Sequence, residues 1–241
     1  MSASYHQFCP VAKAMELLDE RWTLLVVREL LLGSRRFNEL RRGVPRMSPT
    51  LLSKRLHELA VAGVIERRVD GADVTYELTT AGQELRPVVE ALGAWGTRWM
   101  GRLGDPDLDP KLLLWDMRRG VAQEALPAGR TVVQFHFPDV PGRAARWWLV
   151  LTAEECDVCD EDPGHEVDVT VRVGLRQMVE IWLGDRTWDS ALRSGALQLV
   201  GPSELCRALP RWFTLSTFAA IPRPAQPVAE AQVRTAAPVP G

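Results

Sequence analysis

Through the first hundred positions, apolar residues recur mostly at the three-to-four spacing of helices. Residues 10–19 read as a short helix with Pro10 at its first position, where a missing N–H costs nothing. Residues 22–32 are almost continuously apolar, as in a buried helix, and Gly33 stops them. Residues 37–42 make a further short helix. Ser48 followed by Pro49 is a helix start, and that helix runs to Ala62 and ends at Gly63. It has two stripes: Leu52, Leu56 and Leu59 facing inward, and Thr50, Ser53, Lys54 and His57 facing out. The period then changes. Residues 64–69 and 74–79 flank Asp-Gly-Ala-Asp, a hairpin signature. Helical spacing returns over 80–100, where Leu85, Val88, Val89, Leu92, Trp95 and Trp99 predict one long amphipathic helix.

The second half mixes periods. Residues 111–126 predict a helix, and 132–137 and 146–152 predict strands. Trp147 and Trp148 are adjacent on one strand, so only one is expected to face inward. Residues 168–173 alternate strictly, with Val169, Val171 and Val173 on one face. Leu175, Met178, Val179 and Trp182 are helical, 196–200 form a strand and 203–212 a last helix. Strands and helices outside a strict alternating repeat indicate an α+β layer fold with a mixed sheet. Between the halves, residues 101–110 hold two Gly, two Pro and three Asp, a linker composition. The last twenty residues hold five Pro and five Ala, which predicts a disordered tail. The expected organisation is therefore 1–103, mainly helical; 104–110, linker; 111–221, α+β; and 222–241, tail.

Charge sharpens this division. The net charge of −2 averages a basic first part with 15 Lys and Arg against 12 acids over 1–103, and an acidic remainder with 14 against 19. Two parts of opposite sign predict two kinds of partner. The basic surplus is local: Arg35, Arg36, Arg41, Arg42, Arg46, Lys54 and Arg55 face one acid, Glu39. Helices, a capped helix and a hairpin make a winged helix-turn-helix whose capped helix enters the major groove of duplex DNA. Arg46, Lys54 and Arg55 are then expected on phosphates, with Ser48 at the helix start. Thr50, Ser53 and His57 are expected on bases, and Arg67 and Arg68 of the hairpin at the flank. With 46% apolar residues, no run near ~18 apolar residues and no signal-peptide plan, the chain reads as a cytoplasmic globular protein without membrane contact.

Three stretches carry a resemblance: CPVAKAMELLDERWTLLVVRELLLG, RRFNELRRGVPRMSPTLLSKRLHELAVAGVIERR and YELTTAGQELRPVVEALGAWG. From Cys9 to about Arg102 the chain resembles the HxlR family of MarR-like winged-helix transcriptional regulators. The resemblance implies a homodimer joined through the terminal helices of this domain and bound to pseudo-palindromic operator DNA. It also offers a role for Cys9, which matches the position of an oxidant-sensing cysteine in some members. At a helix N-terminus a thiolate is favoured, while the alternative is a small residue buried in the dimer interface. Residues 130–222, including RWWLVL and LPRWFTLSTF, resemble the sterol-carrier-protein type of lipid-binding domain. That implies a small hydrophobic ligand, for which Val133, Phe135, Leu149, Met178 and Trp182 are the expected lining.

Other chemistry is sparse. Cys156-Asp-Val-Cys159 has redox or zinc spacing, but zinc needs four ligands and only His165 and Cys206 stand out as extras. The acidic stretch 157–168 reads as a solvated loop. No phosphate loop or nucleophile elbow is present, so neither enzymatic activity nor a cofactor or metal is expected. The expected function is a ligand-responsive transcriptional regulator. The alternative is a lipid or small-molecule carrier, or an accessory module, that uses its helical domain mainly to dimerise.

Overall fold

A computed structural model describes residues 4–99 and 103–223. Four helices come first: α1 (Pro10–Leu18), α2 (Thr23–Leu31), α3 (Phe37–Gly43) and α4 (Pro49–Val61). The start of α4 follows from the sequence. Pro49 takes the first turn, and Ser48 Oγ accepts the Leu51 amide at 3.3 Å. Gly33 and Gly63 both adopt φ near +95° and +73°, the left-handed conformation that lets a chain leave a helix without a Cβ clash. The hairpin pairs β1 (Ile65–Asp70) with β2 (Asp73–Leu78), from Ile65 opposite Leu78 to Asp70 opposite Asp73. The residues before α3 join its edge: Arg36 bridges Thr75, and the Tyr76 amide donates to the Arg35 carbonyl at 2.8 Å. Val26, Val27, Leu40, Leu52, Leu56, Leu59 and Ile65 are the heart of this domain's core.

The long helix expected over 80–100 is two helices, α5 (Thr80–Gln83) and α6 (Arg86–Trp99). Thr79 Oγ1 caps the first by accepting the Gly82 amide. Pro87 has no N–H to donate to the Gln83 carbonyl, so the ladder cannot run through. The end of the expected helix at Met100 lies outside the described residues, as do 101–102 of the linker and 224–241 of the expected tail. The described linker residues are tied down. Arg176 donates to the Leu103 carbonyl at 2.9 Å and to Asp105 at 2.6 Å.

The second domain opens with α7 (Pro110–Arg119), whose first amides are capped by Asp109. This helix ends well before the expected residue 126. At Gly120 the chain turns to pair with a later segment: Gly120 accepts the Thr214 amide at 2.7 Å and Val121 bridges Phe213. Five strands follow: β3 (Thr131–His136), β4 (Arg146–Leu151), β5 (Cys156–Cys159), β6 (Val169–Val173) and β7 (Leu197–Val200). Their order is β5-β4-β3-β6-β7, with β3 and β6 parallel and the other neighbours antiparallel. The helices are α8 (Leu175–Trp182), α9 (Trp188–Arg193) and α10 (Ser203–Ala208), with a 3-10 turn replacing the end of the expected last helix. Side chains alternate across a strand, so Val133, Phe135, Leu149, Val169 and Val171 meet helical Leu114, Met117, Met178 and Ile181 in one core. Trp147 faces that core. Trp148 points to the opposite face and is buried as well, so the expectation of one inward tryptophan holds for direction and fails for burial.

Candidate nucleic-acid interface and the domain junction

The outer stripe of α4 is free. Thr50, Ser53, Lys54 and His57 are all exposed, and the stripe's only ion pair among the described residues is a loose one from Lys54 to Glu58 at 3.8 Å. Arg46, just before the helix, is exposed too. Of the wing arginines, Arg67 is exposed, whereas Arg68 is paired with Glu77 at 2.9 Å and Glu66 at 3.4 Å. Ser48 is exposed while its hydroxyl caps the helix.

Arg55 does not fit the expected phosphate contact. It is buried at 5% exposure, donates to the Arg21 carbonyl and pairs with Glu20 and Glu58. The reason is its phase. Position 55 lies three after Leu52 and four before Leu59, on the inward stripe. Two further cluster members are also engaged, Arg35 with Glu77 and Arg36 with Asp73, which hold the start of α3 to the wing. Arg41, Arg42, Arg46 and Lys54 remain exposed, Arg42 with its guanidinium 5.2 Å from the Trp115 ring.

A second exposed surface is apolar. On α6, Val88, Leu92, Trp95 and Trp99 are each about half exposed, while Leu85 turns into its own domain's core. On α1, Val11 and Met15 are exposed at i, i+4, and Phe8 just before it is fully exposed. Cys9 sits at the N-cap of α1, half-buried, with no side-chain cap bond.

In the second domain Val133, Phe135, Leu149 and Met178 lie together at 0% exposure, with half-buried Trp182 packed against them. Phe213 links this group to Trp188: its ring is 6.1 Å from Phe135 and 6.3 Å from Trp188. The indole N–H groups of Trp188 and Trp212 are buried there without an acceptor. Cys156 and Cys159 lie on edge strand β5, three apart and so on opposite faces. Burial pushes the Cys156 thiol up to about 12 and raises that of Cys159, which disfavours the thiolate at both. Among the described residues no His, Cys, Asp and Glu side chains cluster as a metal site.

Sequence reasoning missed the junction between the domains. Glu29, in the apolar helix α2, is completely buried. Its carboxylate accepts from Arg28 at 2.7 Å, Ser34 Oγ at 3.2 Å, Trp115 Nε1 at 3.3 Å and Arg119. Burial pushes this carboxyl up, but Arg119 and Arg28 outweigh it and hold it below the usual range. Asp116 bonds Arg119 at 2.8 Å, yet burial dominates there and raises it. The packing is close: a Cβ on Gly43 of α3 would fall 1.9 Å from the Glu29 carboxyl. The only early signal was a lone carboxylate on a buried helix face, and its partner stands 90 residues away.

Comparison with known proteins matches residues 17–103 to the HxlR-like helix-turn-helix family and residues 115–213 to the SCP-2 sterol transfer family. The HTH-type transcriptional regulator YvaP of Bacillus subtilis is 38% identical over 98 residues, spanning 39% of this chain and 91% of YvaP. The HTH-type transcriptional regulator Rv3095 of Mycobacterium tuberculosis is 41% identical over 103 residues, 41% of this chain and 63% of the relative. The HTH-type transcriptional regulator YodB of Bacillus subtilis is 34% identical over 95 residues, 38% and 85% of the two chains. No helix among the described residues is long and apolar enough to cross a membrane.

Proposed function

Since the chain belongs to the HxlR-like helix-turn-helix family and carries an SCP-2 domain, we propose that it is a transcriptional regulator that binds operator DNA as a homodimer and responds to a small hydrophobic ligand. The observation that carries the DNA reading is the outward stripe of α4. Thr50, Ser53 and His57 offer hydrogen-bonding groups to base edges in the major groove, and Lys54, Arg46 and Arg67 supply charge for phosphates. The dimer reading rests on the half-exposed row Val88, Leu92, Trp95 and Trp99 with Val11 and Met15. A row of that size is rare on a monomer and fits a second copy. Two-fold symmetry then places recognition helices ~34–36 Å apart, one turn of DNA.

The ligand reading rests on the second domain's interior. Two buried indole N–H groups without acceptors cost about 1–3 kcal/mol each. An apolar ligand bearing hydrogen-bond acceptors, admitted to the core that holds Phe135, Met178, Val133 and Leu149, would relieve that cost. A second reading, in which this domain braces the first without binding anything, is favoured by the zero exposure of those same four side chains. Titration with fatty acids and sterols, read by quenching of tryptophan fluorescence, separates the two. Saturable quenching lost in Trp182→Phe supports the ligand. A flat response supports the brace.

The regulator reading is tested by a mobility shift on DNA from upstream of the chain's own coding region. A retarded band that survives non-specific competitor is expected. Retardation abolished by any competitor DNA contradicts it, and leaves the carrier reading.

A further inference from the structure

The turn between α1 and α2 carries backbone strain. Trp22 there holds φ near +80°, in the left-handed region that only one other non-glycine among the described residues enters. A bulky side chain keeps that conformation only where its surroundings impose it. The peptide joining Arg21 to Trp22 is the one whose rotation sets this angle, and its carbonyl accepts from Arg55 Nε at 3.2 Å. The same guanidinium reaches Glu20 of the turn through Nη2 and Glu58 of its own helix through Nη1. Arg55 thus sends two bonds out of α4, both to this turn. Balancing its buried charge does not call for that, since Glu58, one helical turn on, already supplies a carboxylate. Glu20 and the Arg21 carbonyl add a fixed spacing between two elements, held by the rigid fork of a guanidinium.

That spacing matters for the opposite face of α4. A hydrogen bond to a base edge holds over about 0.5 Å of donor–acceptor distance, so the tilt of α4 decides whether Thr50, Ser53 and His57 read sequence. We propose that Arg55 is the positioning residue of the DNA-reading helix: it touches no DNA, and it fixes α4 to the Glu20–Trp22 turn and through that turn to α1. On α1, Val11 and Met15 lie exposed on the face assigned above to a second copy. A shift of α1 at that interface therefore reaches α4 through the strained turn. This rests on the reading of α4 as the recognition helix, and adds what sets that helix's angle.

Two variants of the full chain separate positioning from mere support. Glu20→Ala and Glu58→Ala make the same change of charge and volume, and each takes one carboxylate from Arg55. Only the first cuts a bond between the turn and α4. By charge alone, loss of either acid should tighten binding to any DNA. Fluorescence anisotropy on upstream DNA and on a scrambled duplex of equal length gives the ratio of the two affinities, at a temperature where melting curves show all three proteins folded. Glu20→Ala should lower that ratio about tenfold against the wild type, and Glu58→Ala by less than about twofold. A ratio unchanged in both variants, or lowered as much in Glu58→Ala as in Glu20→Ala, would overturn the positioning role and leave operator binding standing. A wild type that binds upstream and scrambled DNA alike would overturn the operator reading, and this inference with it.

Discussion

Two charged residues on inward helix faces, Glu29 and Arg55, set the clearest single-residue expectations. Glu29→Gln leaves Arg119 and Arg28 facing a neutral group in a dry junction, a loss of about 3–5 kcal/mol by urea unfolding. Asp116→Asn should cost far less at neutral pH, because burial already disfavours its charged form. The signs with pH are opposite. A carboxyl held low, as in Glu29, contributes stability above its unfolded value of ~4.3, and loses it as pH falls through the lower folded value. A raised carboxyl, as in Asp116, contributes below its unfolded value and loses that as pH rises through the folded one. An Asp116→Asn protein as unstable as Glu29→Gln would contradict this. Arg55→Ala should lower stability by about 1–3 kcal/mol through its lost bonds to Glu20, Glu58 and the Arg21 carbonyl. It should leave the salt dependence of DNA binding as it was. Arg55 was legible in principle, since 52, 55, 56 and 59 share one helix face. Reading it with its basic neighbours hid that spacing. Glu29 was not legible, because nothing local announces a partner 90 residues away.

Helices and strands whose signals are local were readable in advance. Ser48-Pro49 places α4, and Asp70-Gly-Ala-Asp73 places the hairpin turn. The misses come where a distant segment or one missing donor decides. Pro87 divides the expected long helix, and pairing with Thr214 and Phe213 ends α7 at Gly120. The apolar row of α6 carries its own test. Leu92→Glu places a charge in the middle of the row, so sedimentation is expected to show a dimer for the wild type and a monomer for the variant, and the monomer should lose operator affinity. A wild-type chain that sediments as a monomer at micromolar concentration contradicts the dimer. Cys9, at the start of α1 beside that row, is tested separately. If it senses oxidants, mild peroxide releases DNA from the wild type and not from Cys9→Ser. Release in both assigns it a structural place.

Across the molecule, the two domains meet through charge rather than through a slack linker. Glu29 is gripped from α7, the linker is held by Arg176, and a C-terminal segment runs back to α6, where Phe218 lies over Gly93 and Arg223 donates to the Thr97 carbonyl. A change in the second domain thus has two routes to the first, one through α2 and α3 and one through the proposed dimer helix. For such coupling to regulate, ligand affinity must differ between the DNA-bound and free forms. All of this presupposes that α4 reads DNA. The most direct measurement is the affinity for upstream DNA as a function of salt, by fluorescence anisotropy, for the wild type and Lys54→Ala. Saturable binding by the wild type with a steep inverse salt dependence is expected. Lys54→Ala should bind uniformly more weakly, with a log–log slope shallower by about one per recognition helix. Identical affinity and slope for the two proteins would contradict it.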